Sequence, residues 1–343
     1  MNITVIGATG YAGSELLRLL ADHPKVSHIA GASRSHCYKK LGALYHGHRM
    51  ADLELEAVDI AKIAKHSDLV FTALPHGVSA KTVAALYEKG VKVIDLSGDY
   101  RYEDAALYEK WYGMPHLAPH LLPQAVYGLS EINRDAIKGA DIVGNPGCYT
   151  TCAILALYPL LAAGVIKADG IIIDAKSGVT GAGRKPSQAL HFCETSGNFK
   201  AYKVAEHRHT SEIEDQLGKA AGQPVALSFT PHLLPIKRGI LETIYCQING
   251  DIDRETIYQT YVDIYGDKPF VHVMAEGLPE VKSVVGSNNV AMGFVIDKRL
   301  GRLVIVSALD NLIKGAVGQA IQNMNIQAGW GETTGLPIAP WYL

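Results

Sequence analysis

Cys148 stands where a thiol would be reactive. It follows the turn Asn145-Pro146-Gly147 and precedes Tyr149 and Thr150, and a helix-like run extends from Thr151 to Ala163. The first turn of a helix carries unpaired backbone N–H groups and partial positive charge. That setting favours the thiolate, which is the nucleophilic form. The same donors can hold an oxyanion, as acyl transfer requires. A second constellation opens the chain. Gly7-Ala8-Thr9-Gly10-Tyr11-Ala12-Gly13 lies between a short apolar strand and a helix. There glycines allow a tight turn and a close backbone approach to a pyrophosphate at the helix N-terminus. The spacing is G-x-x-G-x-x-G rather than the commoner G-x-G-x-x-G, so the strand–turn–helix context carries more weight than the motif. Together the two constellations predict nicotinamide redox chemistry on an acyl group held by cysteine.

A thiol mechanism needs an acid–base partner. Among 14 histidines, the densest cluster is His207-Arg208-His209-Thr210-Ser211-Glu212-Ile213-Glu214. Thr210 or Ser211 is expected to cap a helix running through Leu217, with Glu212 or Glu214 near its first turn. Either histidine could face a cleft, and the spacing does not choose between them. Lys176 to Lys185 combines flexible backbone donors, hydroxyls and cations, a composition suited to phosphate or carboxylate. Pro231 to Gly239 places a fixed bend and a cation ahead of a strand. After the second strand comes Ser33-Arg34, where an NAD site usually has an acid for the ribose hydroxyl. A hydroxyl and a guanidinium suit a 2′-phosphate, so NADP(H) is favoured over NAD.

These groups need a scaffold. Ile3–Gly7, Val26–Gly31, Asp68–Leu74, Val91–Leu96 and Asp141–Asn145 read as short apolar strands of a covered parallel sheet. Helical patterns lie between them, clearest at Ser14–Asp22 and Ser79–Lys89, which predicts a doubly wound α/β domain. Later, Ile171–Ala175, Val225–Thr230, Ile240–Asn249, Phe270–Ala275, Val290–Asp297 and Arg302–Leu309 read as strands, the last two joined at Gly301. Several follow one another without a helix, which predicts an α+β domain with a mixed or antiparallel sheet. The long connection from Ser177 to His209 is of a kind that is often functional. Leu312, Ile313, Ala316, Val317, Ala320, Ile321 and Met324 share one face of a final helix, expected to cross back onto the first domain. The expected division is 1–147, completed by a helix at about 311–328, and 148–310.

The bulk numbers narrow the function. A chain of 343 residues points to two domains. A net charge of −2 gives no electrostatic reason to expect nucleic acid or an anionic membrane as partner. Residues 1–7 lack the basic flank and long apolar run of a signal peptide, and no uninterrupted apolar stretch is long enough for a span. An odd count of five cysteines fits reduced thiols in a cytosol. No second cysteine pair follows Cys148 and Cys152 at zinc spacing, so no metal is expected. Cys37, Cys152, Cys193 and Cys246 are expected to be inert packing.

Several motifs recur in one order: Gly7–Gly13, Ala73–Gly77, Asp95–Arg101, Asn145–Tyr149, Ser177–Arg184, His207–Glu214 and Thr230–Gly239. Taken together they resemble the N-acetyl-gamma-glutamyl-phosphate reductases of arginine biosynthesis. The resemblance implies a Rossmann domain, a glyceraldehyde-phosphate-dehydrogenase-like second domain, NADPH and a homodimer or homotetramer. It implies a cytoplasmic enzyme that takes an acyl phosphate and releases inorganic phosphate. Cys148 would be the nucleophile and His207 or His209 the acid–base group, with His209 favoured as nearer the helix. Cofactor contacts are expected from Gly7, Thr9, Gly10, Tyr11, Ala12, Gly13, Ser33, Arg34, Leu74, Pro75, His76, Ser97 and Gly178. Substrate contacts are expected from Asn145, Ser177, Arg184, Arg208 and Glu212. The same chemistry on aspartyl or aminoadipyl phosphate is the nearest alternative. An NADP-binding redox sensor and a dehydrogenase without covalent catalysis are more distant ones. Ser211 and Ser130 stand where the family often has proline.

Overall fold

The computed structural model describes residues 1–342. The chain forms two compact units: Met1–Pro146 with Ala316–Leu336, and Gly147–Gly315 with the segment from Pro337 onward.

The first unit alternates strands and helices: β1 (Asn2–Ile6), α1 (Tyr11–Leu20), β2 (His28–Ala32), α2 (Ile60–His66), β3 (Leu69–Thr72), α3 (Val78–Tyr87), β4 (Lys92–Asp95), α4 (Ala105–Tyr112), β5 (Ala125–Tyr127), α5 (Ser130–Gly139) and β6 (Ile142–Gly144). The strands make one parallel sheet in the order β2-β1-β3-β4-β6-β5. All four residues of β3 are buried, as expected of a strand covered on both faces. The five strands read from sequence are all present, within a few residues of their expected ends. Gly7 is not part of β1, because its φ of +89° turns the chain into the glycine loop. β5 was not expected: three residues following Pro119 and Pro123 are too short to show a period. Helix α1 starts at Tyr11, three residues before its expected start. Gly10, extended at φ −79° and ψ 169°, is its cap.

The second unit contains α6 (Cys148–Ala162), β7 (Ile171–Gly178), α7 (Phe192–Thr195), β8 (Lys200–Ala201), α8 (His209–Ala221), β9 (Leu227–Leu234), β10 (Ile240–Gln247), α9 (Arg254–Tyr265), β11 (Val271–Val273), β12 (Val290–Asp297) and β13 (Arg302–Leu309). Its sheet runs β11-β12-β13-β10-β7-β9-β8. Two of its pairings, β7–β9 and β11–β12, are parallel and the rest antiparallel, so the sheet is mixed. Along β10, Ile240, Glu242, Ile244 and Cys246 are buried, while the alternate residues are partly exposed. That period of two marks a sheet with one covered face.

Helix α6 is apolar almost all round, as befits a core helix. Pro159 interrupts its ladder, since proline has no N–H for the carbonyl four residues back. That carbonyl, on Leu155, accepts instead from the Tyr265 hydroxyl at 2.9 Å, and Ala156 O accepts from Tyr261 at 2.6 Å. The connection between β7 and α8 contains only short elements, and residues 183–195 are mostly exposed.

The final helix departs from its expected form. Ile313–Val317 make a π-helical turn, and only then does α10 (Gly318–Gln327) begin. Its polar side is buried too: Gln319, Gln322, Asn323 and Asn325 have no exposed surface. The amide nitrogens donate inside the first unit. Gln319 Nε2 donates to Gly128 O and Ser130 Oγ, Gln322 Nε2 to Glu131, Asn323 Nδ2 to Gly128 O, and Asn325 Nδ2 to Thr334 O. Buried amides are tolerated where most of their groups are paired, and here each of these four nitrogens finds an acceptor while Gln319 Oε1 has no partner. Among the described residues, no helix is long and apolar enough to cross a membrane.

Candidate active site

Cys148 is the first residue of α6 and is partly exposed. The helix therefore begins three residues earlier than the apolar run implied. Gly147 caps it in an extended conformation, φ −72° and ψ 157°. The turn is braced from two sides. Glu212 Oε1 accepts from the Gly147 N–H at 2.9 Å, and the Thr150 hydroxyl lies 2.8 Å from the same oxygen and 2.7 Å from Gly147 O. From the other side comes Gly315, in the π-helical turn. A β-carbon there would lie 2.8 Å from Cys148 Cβ, so only glycine lets the turn pass this close to Cys148. Asp310, fully buried, holds the start of this turn: its carboxylate accepts from the N–H groups of Leu312, Ile313 and Gly286.

His209 is the first residue of α8, and Glu212 lies on the same face three residues later. Expected capping by Thr210 or Ser211 does not occur. The helix starts at His209, so both hydroxyls fall too late in its first turn. Ser211 Oγ instead donates back to Arg208 O at 3.0 Å. Glu214 Oε1 accepts from Leu227 N rather than from its own helix. The two histidines differ in environment. His207 Nδ1 accepts from the His209 backbone N–H, which leaves its ring proton on Nε2. Burial, with help from Lys203 and Arg208, pushes its pKa down to about 4. Aromatic rings surround the pair. Tyr149 lies 5.9 Å from His207 and 5.8 Å from His209, centroid to centroid, and Tyr202 lies 5.6 Å from His207. The Tyr202 hydroxyl donates to Tyr149 at 3.3 Å. Burial pushes the Tyr202 phenol up to about 12, and the nearby Cys148 charge adds to this.

Of the expected substrate contacts, Ser177, Arg208 and Glu212 lie in the second unit with Cys148 and His209. Ser177 is buried at the end of β7, and its hydroxyl donates to Gly178 O. Arg184 lies in the exposed segment beyond β7. Asn145 is buried in the first unit, where both ends of its amide are engaged: Nδ2 donates to Ala316 O and Oδ1 accepts from Asn323. Gly178, expected at the cofactor, lies in the second unit. A β-carbon there would lie 2.7 Å from the Lys237 backbone.

The remaining cofactor candidates gather in the first unit. Gly7, Thr9, Gly10, Tyr11, Ala12 and Gly13 form the turn into α1, whose first turn has no side-chain cap and no acidic residue. The packing is tight, since a β-carbon on Gly13 would lie 2.2 Å from Gly7 O. Thr9 Oγ1 and Ser33 Oγ are 3.3 Å apart, which brings the glycine loop to the end of β2 beside Arg34. Leu74, Pro75 and His76 follow β3, and His76 Nδ1 accepts from Gly98 N at 2.8 Å. Ser97 is buried, and its hydroxyl donates to Asp95. Thr72 and Ser79 donate to the same carboxyl, whose pKa burial raises. An uncapped, acid-free helix start beside a hydroxyl and a guanidinium fits a dinucleotide phosphate.

Several contributors escaped sequence reading. Tyr202, Asp310 and Gly315 stand in no motif that carries chemistry. Arg238 gave a trace of signal as a cation ahead of β10; it lies 3.6 Å from Asp310 and stacks over Trp341. Arg101 is buried, and its guanidinium donates to Asn145 O at 2.8 Å. The other thiols divide. Burial raises the pKa of Cys152 well above its usual range and that of Cys246 to about 12. Cys193 is exposed and Cys37 partly so, which corrects the expectation that both are packing.

Known proteins match along the whole length. Residues 2–140 match the model of the semialdehyde dehydrogenase NAD binding domain, and residues 148–311 that of the semialdehyde dehydrogenase dimerisation domain. The N-acetyl-gamma-glutamyl-phosphate reductase of Desulforudis audaxviator is 49% identical over 100% of this chain and 99% of its own. That of Shouchella clausii is 47% identical over 100% of both chains. Among solved structures, aspartate semialdehyde dehydrogenase II from Vibrio cholerae superposes with a TM-score of 0.73 at 18% identity, covering 96% of this chain and 98% of that one. The aspartate semialdehyde dehydrogenase with NADP from Candida albicans gives 0.68 at 18% identity, covering 96% and 99%. At that identity the likeness speaks for the fold. The full-length relatives go further: the chain belongs to the N-acetyl-gamma-glutamyl-phosphate reductases, within the semialdehyde dehydrogenases.

Proposed function

We propose that this enzyme reduces N-acetyl-L-glutamyl 5-phosphate to N-acetyl-L-glutamate 5-semialdehyde, releasing phosphate, with NADPH as reductant, as a step of arginine biosynthesis. One observation carries the reading: Cys148 opens α6, His209 opens α8, and Glu212 ties the two helix starts together through Gly147. The Cys148 thiolate attacks the acyl carbonyl. Glu212 already takes the Gly147 N–H, so the oxyanion falls to the N–H groups of the following first turn, which have no acceptor within the helix. Such a donor typically contributes about 3 kcal/mol. The C–O bond to phosphate breaks, and Ser177, Arg184 and Arg208 hold the departing anion. A thioester on Cys148 remains. When bound, the nicotinamide supplies the hydride that turns this thioester into a thiohemiacetal. His209 protonates the oxygen that develops there, then takes the proton back as the C–S bond breaks and the aldehyde leaves. His207 remains neutral near pH 7, with its Nδ1 engaged by the backbone, and positions its neighbours. His209→Asn should lower kcat by about 10²–10⁴-fold, and His207→Asn by much less.

Ser33 and Arg34 support NADPH over NADH. A second copy of the chain is expected on the open face of the mixed sheet, where Ile172 and Val295 are exposed, and light scattering would give the assembly size. The test of the reaction runs it backwards: purified protein, N-acetylglutamate semialdehyde, phosphate and NADP, followed by NADPH absorbance, with aspartate semialdehyde in parallel. Phosphate-dependent signal with the acetylated aldehyde alone is the expected result. Signal with aspartate semialdehyde alone would move the assignment to the other acyl phosphate. Silence with both would defeat it.

A further inference from the structure

In the first unit a cavity of about 390 Å³ opens beside the end of β2. Its wall includes Ser33 and Arg34, which follow β2, Val58 and Ile60 at the start of α2, and Lys81 and Thr82 on the first turns of α3. The sheet order explains the meeting. β1 lies between β2 and β3, so the segment after β2 and the helix after β3 flank the crevice above the carboxyl end of β1. That is where a nucleotide lies in an open α/β sheet. The cavity has an apolar side, a hydroxyl on each flank and two cations, and no carboxylate lines it. Arg34 and Lys81 are both exposed, and among the described residues neither makes an ion pair. Lys62 nearby differs, because Glu56 lies 3.2 Å from its ammonium.

We propose that Lys81 is a second reader of the cofactor's 2′-phosphate, acting across the cavity from Arg34, and that the two together set the preference for NADP over NAD. This rests on the reading of the site as one for NADP. Two converging cations with no acid beside them have little to do for a free ribose hydroxyl, but they match a phosphate dianion. The division of labour follows from their chemistry. Arg34 offers a planar fork for two oxygens, whereas Lys81 is a point charge on a flexible stem. Val58 and Ile60 give the adenine an apolar surface. Lys81 reaches the site from a helix that carries none of the phosphate-binding motif, so sequence spacing gave no reason to single it out.

The test measures binding of 2′,5′-ADP and 5′-AMP by calorimetry to the full chain, the Lys81→Met variant and the Arg34→Ala variant, at low and moderate salt. The unmodified protein should bind 2′,5′-ADP more tightly than 5′-AMP, and salt should narrow the gap. Lys81→Met should weaken 2′,5′-ADP by roughly tenfold and leave 5′-AMP unchanged, with Arg34→Ala costing more. Equal binding of the two nucleotides by the unmodified protein would overturn the NADP reading itself. Clear discrimination that survives intact in Lys81→Met would overturn only the role of Lys81, leaving Arg34 as the sole cation. Equal weakening of both nucleotides in Lys81→Met would mark Lys81 as structural and also sink the inference.

Discussion

Helices α1 and α6 start in the same way and do different work. Each follows a glycine cap in extended conformation, Gly10 and Gly147, with no side-chain cap. Each therefore presents unpaired N–H groups and the positive end of the helix dipole. At α1 the first turn contains no acidic residue, and the glycines are packed so closely that a β-carbon on Gly13 would lie 2.2 Å from Gly7 O. At α6 the buried carboxylate of Glu212 already occupies the Gly147 N–H, and Gly315 closes against the first residue. One N-terminus is left open, as the proposed cofactor phosphate would need. The other is partly neutralised and braced, which suits the proposed role of Cys148 as a nucleophile held in place rather than a ligand collected. On the proposed reading, the same backbone device serves binding or catalysis according to what the tertiary fold puts beside it.

The largest effect should come from the nucleophile. Cys148→Ser should reduce kcat by on the order of 10⁴-fold or more, while NADPH binding, followed by fluorescence, stays unchanged. Turnover near normal in that variant would leave no thioester route. Next comes Glu212→Ala, which strips α6 to the condition of α1. It should slow thiol alkylation or turnover by roughly 10–100-fold through misplacement, and lower unfolding stability by about 1–3 kcal/mol, because Gly147 N–H loses its buried acceptor. Full activity with lowered stability would confine Glu212 to a structural part. The reverse exchange is Gly10→Asp, which gives α1 the carboxylate it lacks. A β-carbon at Gly10 meets only Gly7 O, at 3.6 Å, so the site has room. The helix should gain only about 0.3 kcal/mol from the new cap, since glycine is itself a fair N-cap. NADPH should bind roughly tenfold or more weakly, through repulsion of its pyrophosphate. Unchanged affinity would mean that the pyrophosphate does not sit on α1.

The smallest effect concerns His207. Unfolded, a histidine takes up its proton near pH 6.5, whereas folded His207 does so only near pH 4. Between those values the unfolded state binds more protons, so stability falls as pH falls, by at most about 3 kcal/mol in total. Denaturant titrations at pH 7 and pH 5 should therefore show a smaller acid loss in His207→Asn than in the parent. An equal loss in both would show that His207 takes its proton at the ordinary pH.

Much of this was legible along the chain. Parallel strands buried on both faces read as apolar runs whatever lies around them, so five of the six strands of the first sheet were found, and β5, partly exposed and preceded by two prolines, was missed. A helix start near Cys148 was legible because Pro146-Gly147 turns the chain just before an apolar run. At the two serines where the resemblance leads one to expect proline, sequence alone left the loop geometry open. Each in fact makes bonds that proline could not: Ser130 with Asn323 and Gln319, and Ser211 with Arg208. Helix α10 was read from its apolar stripe, but the burial of its amides was not. Periodicity assigns amides to solvent, and only the loops around Gly128, Glu131 and Thr334 reveal why they are buried.

Local sequence decided what depends on neighbours a few residues away: strands and their faces, glycines at tight turns, and the helix start that carries the thiol. These are set by backbone sterics and by periods of 2 and 3.6, which a chain carries wherever it folds. The folded units decided what depends on distant partners. Glu212 meets Gly147 across 65 positions, Gly315 closes on Cys148, and His207 is drained of its basicity by burial among aromatic rings. Desolvation and close contact are properties of the space around a group, and that space exists only once the chain has packed.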